Sequence, residues 1–478
     1  MSRPTALSPL EAAFIHVESE RSPIHLATVA FFDGAPLRDA RGVLDLARVR
    51  ARIDGRLHLT PKLRRRVHRT ILPGAPPVWL DDPTFDIADH VTAVHLDRPG
   101  SDRQFWDLAA ELLGRPLDPD HPRWHFCFVD GLADGRIGAV LRIHHSLADG
   151  LAGIEVATLL FDVDAGDTDP APTTDVPGWD PARRPWVGLE AVQDVVRLNE
   201  IGLRWLGRGV HAARHPVATL HGAGRLLGAV GTLVSGGLGR STTSLNRPIG
   251  DRRRLAVVRE PFDAVASLAH AYDVTVNDVM LTVVGGAVAD LLAHRGERPP
   301  PELLVCIPVG LVPDQRDDLG NLVSAWMVRI PVGTDDPVGR LSEVAVATGS
   351  ARSHHEELVA EAAMDLVRPF PQSVVSGVVR LVDHQPLVNL IVTNVPGPPF
   401  PLYLLGALLE EAYPFVPLAG NLTVGVAMLS YDGWLSLGIL ADDATCPDVE
   451  VFGQAIGAQL RALESLSPLQ GAAESADS

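Results

Sequence analysis

Residues 138–150 read Gly-Ala-Val-Leu-Arg-Ile-His-His-Ser-Leu-Ala-Asp-Gly, and no other stretch of the chain is as informative. The run Gly138 to His145 predicts a strand, and Leu151 to Phe161 predicts a helix that follows it after a tight turn. Side chains alternate along a strand, which puts His144 and His145 on opposite faces. The two imidazoles therefore cannot both point into one cavity, and one can act as a base while the other braces the turn.

A neutral imidazole is a natural general base near neutral pH, because its reference pKa is about 6.5. Such a base can deprotonate a hydroxyl as that hydroxyl attacks a thioester carbonyl, which is typically worth about 10²–10⁴-fold in rate. Asp149 and Gly150 make a sharp bend and can cap the following helix. We interpret Asp149 as a structural brace of this loop.

The histidine pair also has simpler interpretations. Adjacent histidines occur as packing or surface features, and the chain contains a second pair, His354-His355, in a helical and solvated stretch without the Asp-Gly turn. A metal held by His145 and Asp149 is another alternative, but no third ligand is evident, and we predict no metal site.

The charge composition excludes several function classes. The 478 residues include 41 Lys plus Arg and 59 Asp plus Glu, a formal net charge of −18. A field of that sign repels phosphate backbones, so nucleic acid is not an expected partner. Lys62 is the only lysine, which argues against P-loop and Schiff-base chemistry. Cys127, Cys306 and Cys446 form no CxxC pair and fit a reducing compartment.

The chain divides into two similar parts. Strand-like and helical segments alternate in residues 1–165 and again in residues 246–470, which predicts two α+β domains with a ligand cleft between them. Residues 166–245 begin with a stretch rich in Asp, Pro, Gly and Thr and predict a linker with helical segments. Residues 471–478 are small and polar and predict a disordered tail. Further strands are predicted at 26–32, 303–309, 390–393, 422–430 and 434–440, and a long helix at 274–292.

An ordered series of motifs resembles one family. His144-His145-Ser-Leu-Ala-Asp149-Gly150 matches the HHxxxDG motif of CoA-dependent acyltransferases. Within that superfamily, the chain resembles the bacterial wax ester synthase/diacylglycerol acyltransferases. The other motifs that carry the resemblance are Leu7 to Phe14, Trp79 to His90, Pro116 to Asp118, Thr275 to Val279, Thr393 to Gly397 and Ser430 to Gly433.

The resemblance implies two chloramphenicol-acetyltransferase-like domains, each a mixed sheet flanked by helices, around a central cleft or tunnel. It implies that His145 is the general base, supported by His144, that Asp149 is structural and that Gly150 forms the turn. The implied reaction moves a long-chain acyl group from acyl-CoA, a co-substrate and not a bound cofactor, to diacylglycerol or a fatty alcohol. Where the family often has Pro-Leu-Trp this chain has Arg123, which can alter an acyl or alcohol pocket.

The segment Thr275 to Asp278 has two interpretations. Asn277 is a candidate for orienting the reacting carbonyl or stabilising its oxyanion, and such a donor can be worth about 10²–10³-fold. A capping box, with Thr275 as N-cap and Asp278 as its acidic partner, explains the segment without catalysis. We interpret Asp278 as structural and leave both interpretations of Asn277 open.

Each of two basic regions has two possible interpretations. Arg197 to Arg225 predicts either a basic amphipathic helix on an anionic membrane or lipid droplet, or helices packed on the protein body. The run Lys62 to Arg69 is either a patch for the phosphates of CoA or a solvated surface cluster.

Localisation and function class follow from the same reasoning. The first 14 residues contain no apolar signal-peptide core, so we expect a cytoplasmic protein that can sit peripherally on the inner membrane or on lipid droplets. Two alternative functions remain: an acyltransferase of secondary metabolism with a carrier-protein-bound donor, and a non-catalytic lipid-binding descendant.

Overall fold

Two six-stranded sheets organise the chain in the computed structural model, which describes residues 4–72, 75–148, 153, 156, 158–167, 181, 188–199, 243–310, 323–353 and 388–467. The strands are β1 Thr5–Ala6, β2 His25–Phe32, β3 Arg65–His68, β4 Val78–Asp81, β5 Val91–His95, β6 Trp124–Asp130, β7 Ile137–His144, β8 Arg253–Pro261, β9 Glu302–Gly310, β10 Val323–Pro331, β11 Leu390–Pro396, β12 Tyr403–Leu404, β13 Ala407–Phe415, β14 Val424–Tyr431 and β15 Trp434–Asp442. The helices are α1 Pro9–Val17, α2 Leu46–Arg56, α3 Ile87–His90, α4 Asp102–Gly114, α5 Phe262–Ala271, α6 Val276–His294, α7 Pro337–Ser353 and α8 Val449–Ser465. Residues 188–199 are also helical.

Both large sheets are mixed. The first has the strand order β12-β13-β2-β7-β6-β5, in which only the β5–β6 pair is parallel. The second has the order β10-β9-β11-β14-β15-β8, with β11 parallel to both of its neighbours. The predicted α+β class with two mixed sheets flanked by helices is therefore confirmed.

Two strands from the second half of the chain complete the first sheet. β13 pairs antiparallel with β2, and β12 pairs with β13 at the edge. The sheet that carries the histidine motif thus includes residues 403–415 as well as residues 25–144. Domain boundaries at residues 165 and 246 stay a prediction.

Local sequence explains where the longer helices begin. α1, α4 and α6 each start with a reciprocal capping box, in which a Ser or Thr hydroxyl accepts the backbone N–H three residues later and an acidic or amide side chain returns the bond. The predicted capping box of Thr275 and Asp278 is confirmed: the Thr275 N–H donates to Asp278 Oδ2 at 2.9 Å. This bonding satisfies N–H groups that a helix start otherwise leaves unpaired.

The long helix α6 is a core element. All its residues from Asp278 to Val288 are buried, so the expected single apolar face extends around the whole helix. Within the described part of the chain, α6 is the one helix long and apolar enough to cross a membrane, and most of it is buried inside the protein.

One cluster of buried side chains lies between the two sheets. Val29, Phe31 and Phe415 of the first sheet pack with Leu440 of the second and with α4 in one buried cluster. The backbones also meet directly, because a Cβ added at Gly438 would lie 1.9 Å from the Pro414 carbonyl oxygen.

The predicted elements match the described residues closely. Every predicted strand is present within three residues of its expected ends, and the predicted helix at 274–292 runs over Val276–His294. Asp149, Gly150, His354, most of the predicted linker and the tail beyond Ser467 lie outside the described residues.

Candidate active site

The histidine motif lies at the end of the central strand β7. β2 and β6 flank β7, and His144 is the last residue of the strand. The His144 N–H donates to the Arg123 carbonyl, and the His145 N–H donates to the Ile24 carbonyl, both at 2.9 Å. The segments that lead into β6 and β2 therefore fix the backbone from both sides at the point where the two imidazoles project.

His144 is completely buried in a polar environment. Its Nδ1 accepts the Ser146 N–H at 3.0 Å and lies 2.7 Å from the Ser146 hydroxyl. Because Nδ1 accepts a backbone hydrogen bond, the neutral ring carries its proton on Nε2. Nε2 lies 3.4 Å from Glu18 Oε1. His144 is thus hydrogen-bonded at Nδ1, and its Nε2 faces a carboxylate without a hydrogen bond, which suits a supporting role.

His145 has a different environment. Its partly buried ring stacks on Phe14, with the ring centroids 4.1 Å apart and an interplanar angle of 23°. Burial lowers the pKa of His145 to about 4, and neighbouring His144 lowers it further against a raising contribution from a hydrogen bond to the residue's own backbone. The ring is therefore unprotonated throughout the neutral pH range.

Helix α1 supplies a partner to each histidine. Phe14 stacks on His145, and Glu18, at the C-cap of the helix, faces His144. The two residues are four apart and so lie on the same side of a helix. In the sequence, Phe14 stands out only as part of a motif and Glu18 does not stand out at all; their i, i+4 spacing was the available signal.

Glu18 also pairs with the unusual arginine of the sequence. Its Oε2 accepts a hydrogen bond from Arg123 Nη1 at 2.6 Å. Burial would raise the pKa of the Glu18 carboxyl, but adjacent His144 and Arg123 outweigh burial and lower it. Glu18 is therefore an anion at neutral pH, held between a guanidinium and an imidazole.

The C-terminal motifs meet at the neighbouring sheet. The Gly397 N–H donates to the Ser430 carbonyl at 2.9 Å, so the motifs Thr393 to Gly397 and Ser430 to Gly433 are in contact. A Cβ at Gly397 would lie 2.5 Å from the same oxygen, which explains the glycine. Tyr431 belongs to the cluster that covers the Ile143 face of β7.

The structure does not bring Asn277 into contact with the histidines. Asn277 lies half-buried in the first turn of α6 and makes no hydrogen bond with the described residues. Asp278 is fully used, since its other carboxylate oxygen accepts a hydrogen bond from the Thr348 hydroxyl at 2.6 Å. A structural role explains Asp278 entirely, whereas the Asn277 amide remains available.

The basic run from Lys62 to Arg69 is largely neutralised by this chain's own carboxylates. These ion pairs argue against a free phosphate patch, and the low exposure of the paired cations also argues against a solvated surface cluster. The pairs are Lys62 with Glu11 at 2.6 Å, Arg64 with Asp54 at 2.6 Å and Arg65 with Asp81 at 3.0 Å.

The three cysteines form no disulfide with one another. Cys127 and Cys446 are buried free thiols and Cys306 is a partly buried one. No group of three or more His, Cys, Asp or Glu side chains in the described residues could hold a metal ion.

Comparison with known proteins agrees with this geometry. Residues 7–280 match the model of the wax ester synthase/diacylglycerol acyltransferase catalytic domain, and residues 319–464 match the C-terminal domain of the same family. The probable diacylglycerol O-acyltransferase tgs1 of Mycobacterium tuberculosis is 28% identical over 470 residues, which cover 96% of each chain.

Solved structures show the same fold. The wax ester synthase/diacylglycerol acyltransferase from Marinobacter aquaeolei superposes with a TM-score of 0.68 at 20% identity, covering 96% of this chain and 98% of that one. The TRI3 trichothecene 15-O-acetyltransferase from Fusarium sporotrichioides superposes with a TM-score of 0.63 at 12% identity over 96% of this chain and 94% of its own. With both family domains matched in order around the histidine motif, the chain belongs to the wax ester synthase/diacylglycerol acyltransferase family, enzymes that transfer an acyl group to an alcohol.

Proposed function

We propose that this enzyme transfers a long-chain acyl group from acyl-CoA to diacylglycerol, giving triacylglycerol, with fatty alcohols as a second class of acceptor. The observation that carries the proposal is the neutral, partly buried imidazole of His145 at the end of β7. The name of the tgs1 relative supports diacylglycerol as the acceptor, and the name of the Marinobacter relative supports both acceptors.

The proposed chemistry needs both substrates bound together. His145 takes the proton of the acceptor hydroxyl while the oxygen attacks the thioester carbonyl. The tetrahedral intermediate then collapses, the C–S bond breaks, and the CoA thiolate leaves with the proton that His145 returns. No acyl-enzyme forms, so the base and the positioning of two substrates supply the rate enhancement.

Two further residues complete the proposed site. Asn277 is proposed to donate its amide N–H to the oxyanion, which its lack of a hydrogen-bond partner among the described residues permits. Asp149 and Gly150 are proposed to form the turn after the histidines, as the family motif implies.

A direct assay tests the function. Purified enzyme is given labelled long-chain acyl-CoA together with competing diacylglycerol and fatty alcohol, and the products are separated by lipid chromatography. We expect labelled triacylglycerol as the main product, and a loss of about 10²–10⁴-fold in His145→Ala. Full transfer by His145→Ala would remove the proposed base. Transfer only from an acyl group on a carrier protein would favour secondary metabolism.

We also propose that the enzyme docks on a lipid surface through the helical residues 188–199. This helix turns its acids inward: Glu190 contacts His68, and Asp194 accepts the N–H groups of Ile71 and Leu72. Its outward face is largely apolar: the exposed residues are Leu189, Val192, Val195 and Val196, with Asn199 at the end of the range.

Charge supports a lipid occupant for this face. Both acids of residues 188–199 are buried and paired, so the outward face carries no negative charge in a chain of net −18. Nearby Arg69 is exposed and makes no ion pair with the described residues. An apolar stripe next to a cation suits an anionic membrane or droplet surface, where an insoluble acceptor such as diacylglycerol resides.

A further inference from the structure

Arg123 stands where the family often has leucine, and its side chain lies beside the histidine motif. The residue is only 7% exposed, and Nη1 donates to Glu18 Oε2 at 2.6 Å. Its buried Nε has no hydrogen-bond partner among the described residues. Burying a guanidinium with an unpaired donor costs free energy of folding. A functional role of the Glu18 contact would explain why the chain bears this cost.

The chain connects Arg123 to His144 in two ways. Through the backbone, the Arg123 carbonyl accepts the His144 N–H at 2.9 Å, because β6 and β7 are paired. Through side chains, Arg123 holds one oxygen of Glu18 while the other oxygen lies 3.4 Å from His144 Nε2. One carboxylate thus contacts both Arg123 and His144.

Glu18 and Arg123 have opposite effects on the pKa of His144. Burial lowers the pKa of the His144 ring, Glu18 raises it, and Arg123 lowers it. With Arg123 present, Glu18 is already paired with a full positive charge and has less need of a second cation. Without Arg123, the buried carboxylate would favour a protonated His144 directly next to His145.

We propose that Arg123 is a positioning residue of the acyl-transfer site, which holds Glu18 so that the carboxylate fixes the ring of His144 and the turn that presents His145. The inference rests on the proposed function, because it assigns His145 as the base. The expectation that Arg123 alters an acyl or alcohol pocket stays a prediction, and the described side-chain contact of Arg123 with Glu18 favours the positioning role.

A double-mutant cycle tests the proposal through kcat and KM for acyl-CoA and the acceptor. Arg123→Leu, the residue common in the family, is expected to lower kcat by about 10- to 100-fold while KM changes less than about twofold. Arg123→Lys keeps the charge and is expected to recover most of the activity. Glu18→Gln is expected to resemble Arg123→Leu, and the double variant is expected to be no worse than either single one.

Other outcomes overturn the proposal. A change confined to KM or to acyl-chain preference would make Arg123 a pocket residue, and additive losses in the cycle would make Arg123 and Glu18 independent. If Arg123→Leu does not fold, Arg123→Gln, which removes the charge but keeps a polar side chain, takes its place in the cycle with Glu18→Gln. Arg64→Leu is the control, because it breaks the ion pair of another buried arginine, here with partly exposed Asp54, and is expected to change stability but not kcat.

The failure of this inference is separable from the failure of the proposed function. If His145→Ala keeps full activity, the proposed base is wrong whatever the Arg123 variants do. If His145→Ala is inactive and Arg123→Leu keeps its kcat, only the role of Arg123 is wrong.

Discussion

Two adjacent histidines acquire different chemistry from their surroundings. His144 accepts the Ser146 N–H at Nδ1, which fixes its tautomer, and its Nε2 faces Glu18 at 3.4 Å. His145 stacks on the apolar face of Phe14, which excludes water on one side. An imidazole that is fixed suits support, and one that stays neutral against an apolar wall suits proton transfer.

The lowered pKa of His145 predicts an unusual pH dependence. A free histidine base loses activity below about pH 6.5, because it becomes protonated. With a pKa of about 4, His145 stays neutral down to that value, so kcat/KM is expected to stay level from pH 8 to pH 5. The measurement is kcat/KM against pH with a soluble short-chain acceptor.

Acid unfolding sets the lower limit of this experiment. Burial, with Arg142, His144 and Arg253 nearby, holds the pKa of His25 well below its ordinary value. The unfolded chain therefore binds this proton first, and stability falls as the pH drops below about 6.5. Each sample is returned to pH 7 to show that it stayed folded. A fall of kcat/KM centred near pH 6.5 in folded enzyme would contradict the pKa given for His145.

The proposed oxyanion contact of Asn277 can be tested by removing its amide. If its amide donates to the oxyanion, Asn277→Ala is expected to lower kcat by about 100-fold with little change in KM. Its thermal unfolding is expected to stay near that of the parent, since the side chain makes no hydrogen bond with the described residues. A kcat within twofold of the parent would leave the segment with the capping role alone.

The sequence could predict some of these residues and not others. Strand periodicity and the Asp-Gly turn were enough to single out His144 and His145. Glu18 and Arg123 are 105 residues apart, and nothing local in either segment indicates that they meet. Their contact exists only because α1 ends beside the β6–β7 pair, which is a property of the tertiary fold.

At the scale of elements, strands and caps follow local rules, but the orientation of a helix depends on its neighbours. The capping box of α6 and the alternation of β7 could be predicted because each depends on residues within a few positions. In residues 188–199, the sequence predicts a helix but not which face is buried. Buried Glu190 and Asp194 bind His68 and the backbone at residues 71–72, so the acidic side faces inward and the apolar side outward.

The exposed apolar stripe of residues 188–199 predicts lipid binding, and substitutions within the stripe are expected to weaken it. Val192 and Val195 are 59% and 56% exposed, and Val192→Asp with Val195→Asp would place two charges on the apolar stripe. We expect at least about tenfold weaker flotation with phosphatidylglycerol vesicles and unchanged kcat on a soluble short-chain acceptor. The matched control is Val346→Asp, on the 70% exposed valine of α7. Equal binding by both variants would mean that the stripe does not dock on lipid.

At the scale of the whole molecule, the two sheets are not independent bodies. β12 and β13 come from the second half of the chain but belong to the first sheet. β13 also packs against β15 of the second sheet. Each strand has an ordinary β sequence, so its pattern predicts a strand but not the sheet that it joins. Neither the strand exchange nor the close contact between the sheets could be predicted from the sequence.

Gly438 provides a test of this coupling. It lies in β15, and an added Cβ would meet the Pro414 carbonyl oxygen of β13 at 1.9 Å, a backbone atom that no side-chain rotation can move aside. Gly438→Ala must therefore separate the sheets, and we expect a loss of roughly 1–3 kcal/mol in the free energy of unfolding, with a decrease in kcat because the histidine sheet moves. Gly349→Ala in α7 is the control, since nothing lies within 4 Å of its added Cβ and a helical alanine adds up to about 1 kcal/mol of stability. Urea unfolding of both variants beside the parent separates the outcomes, and a Gly438→Ala variant as stable as the parent would show that the sheets can shift apart freely.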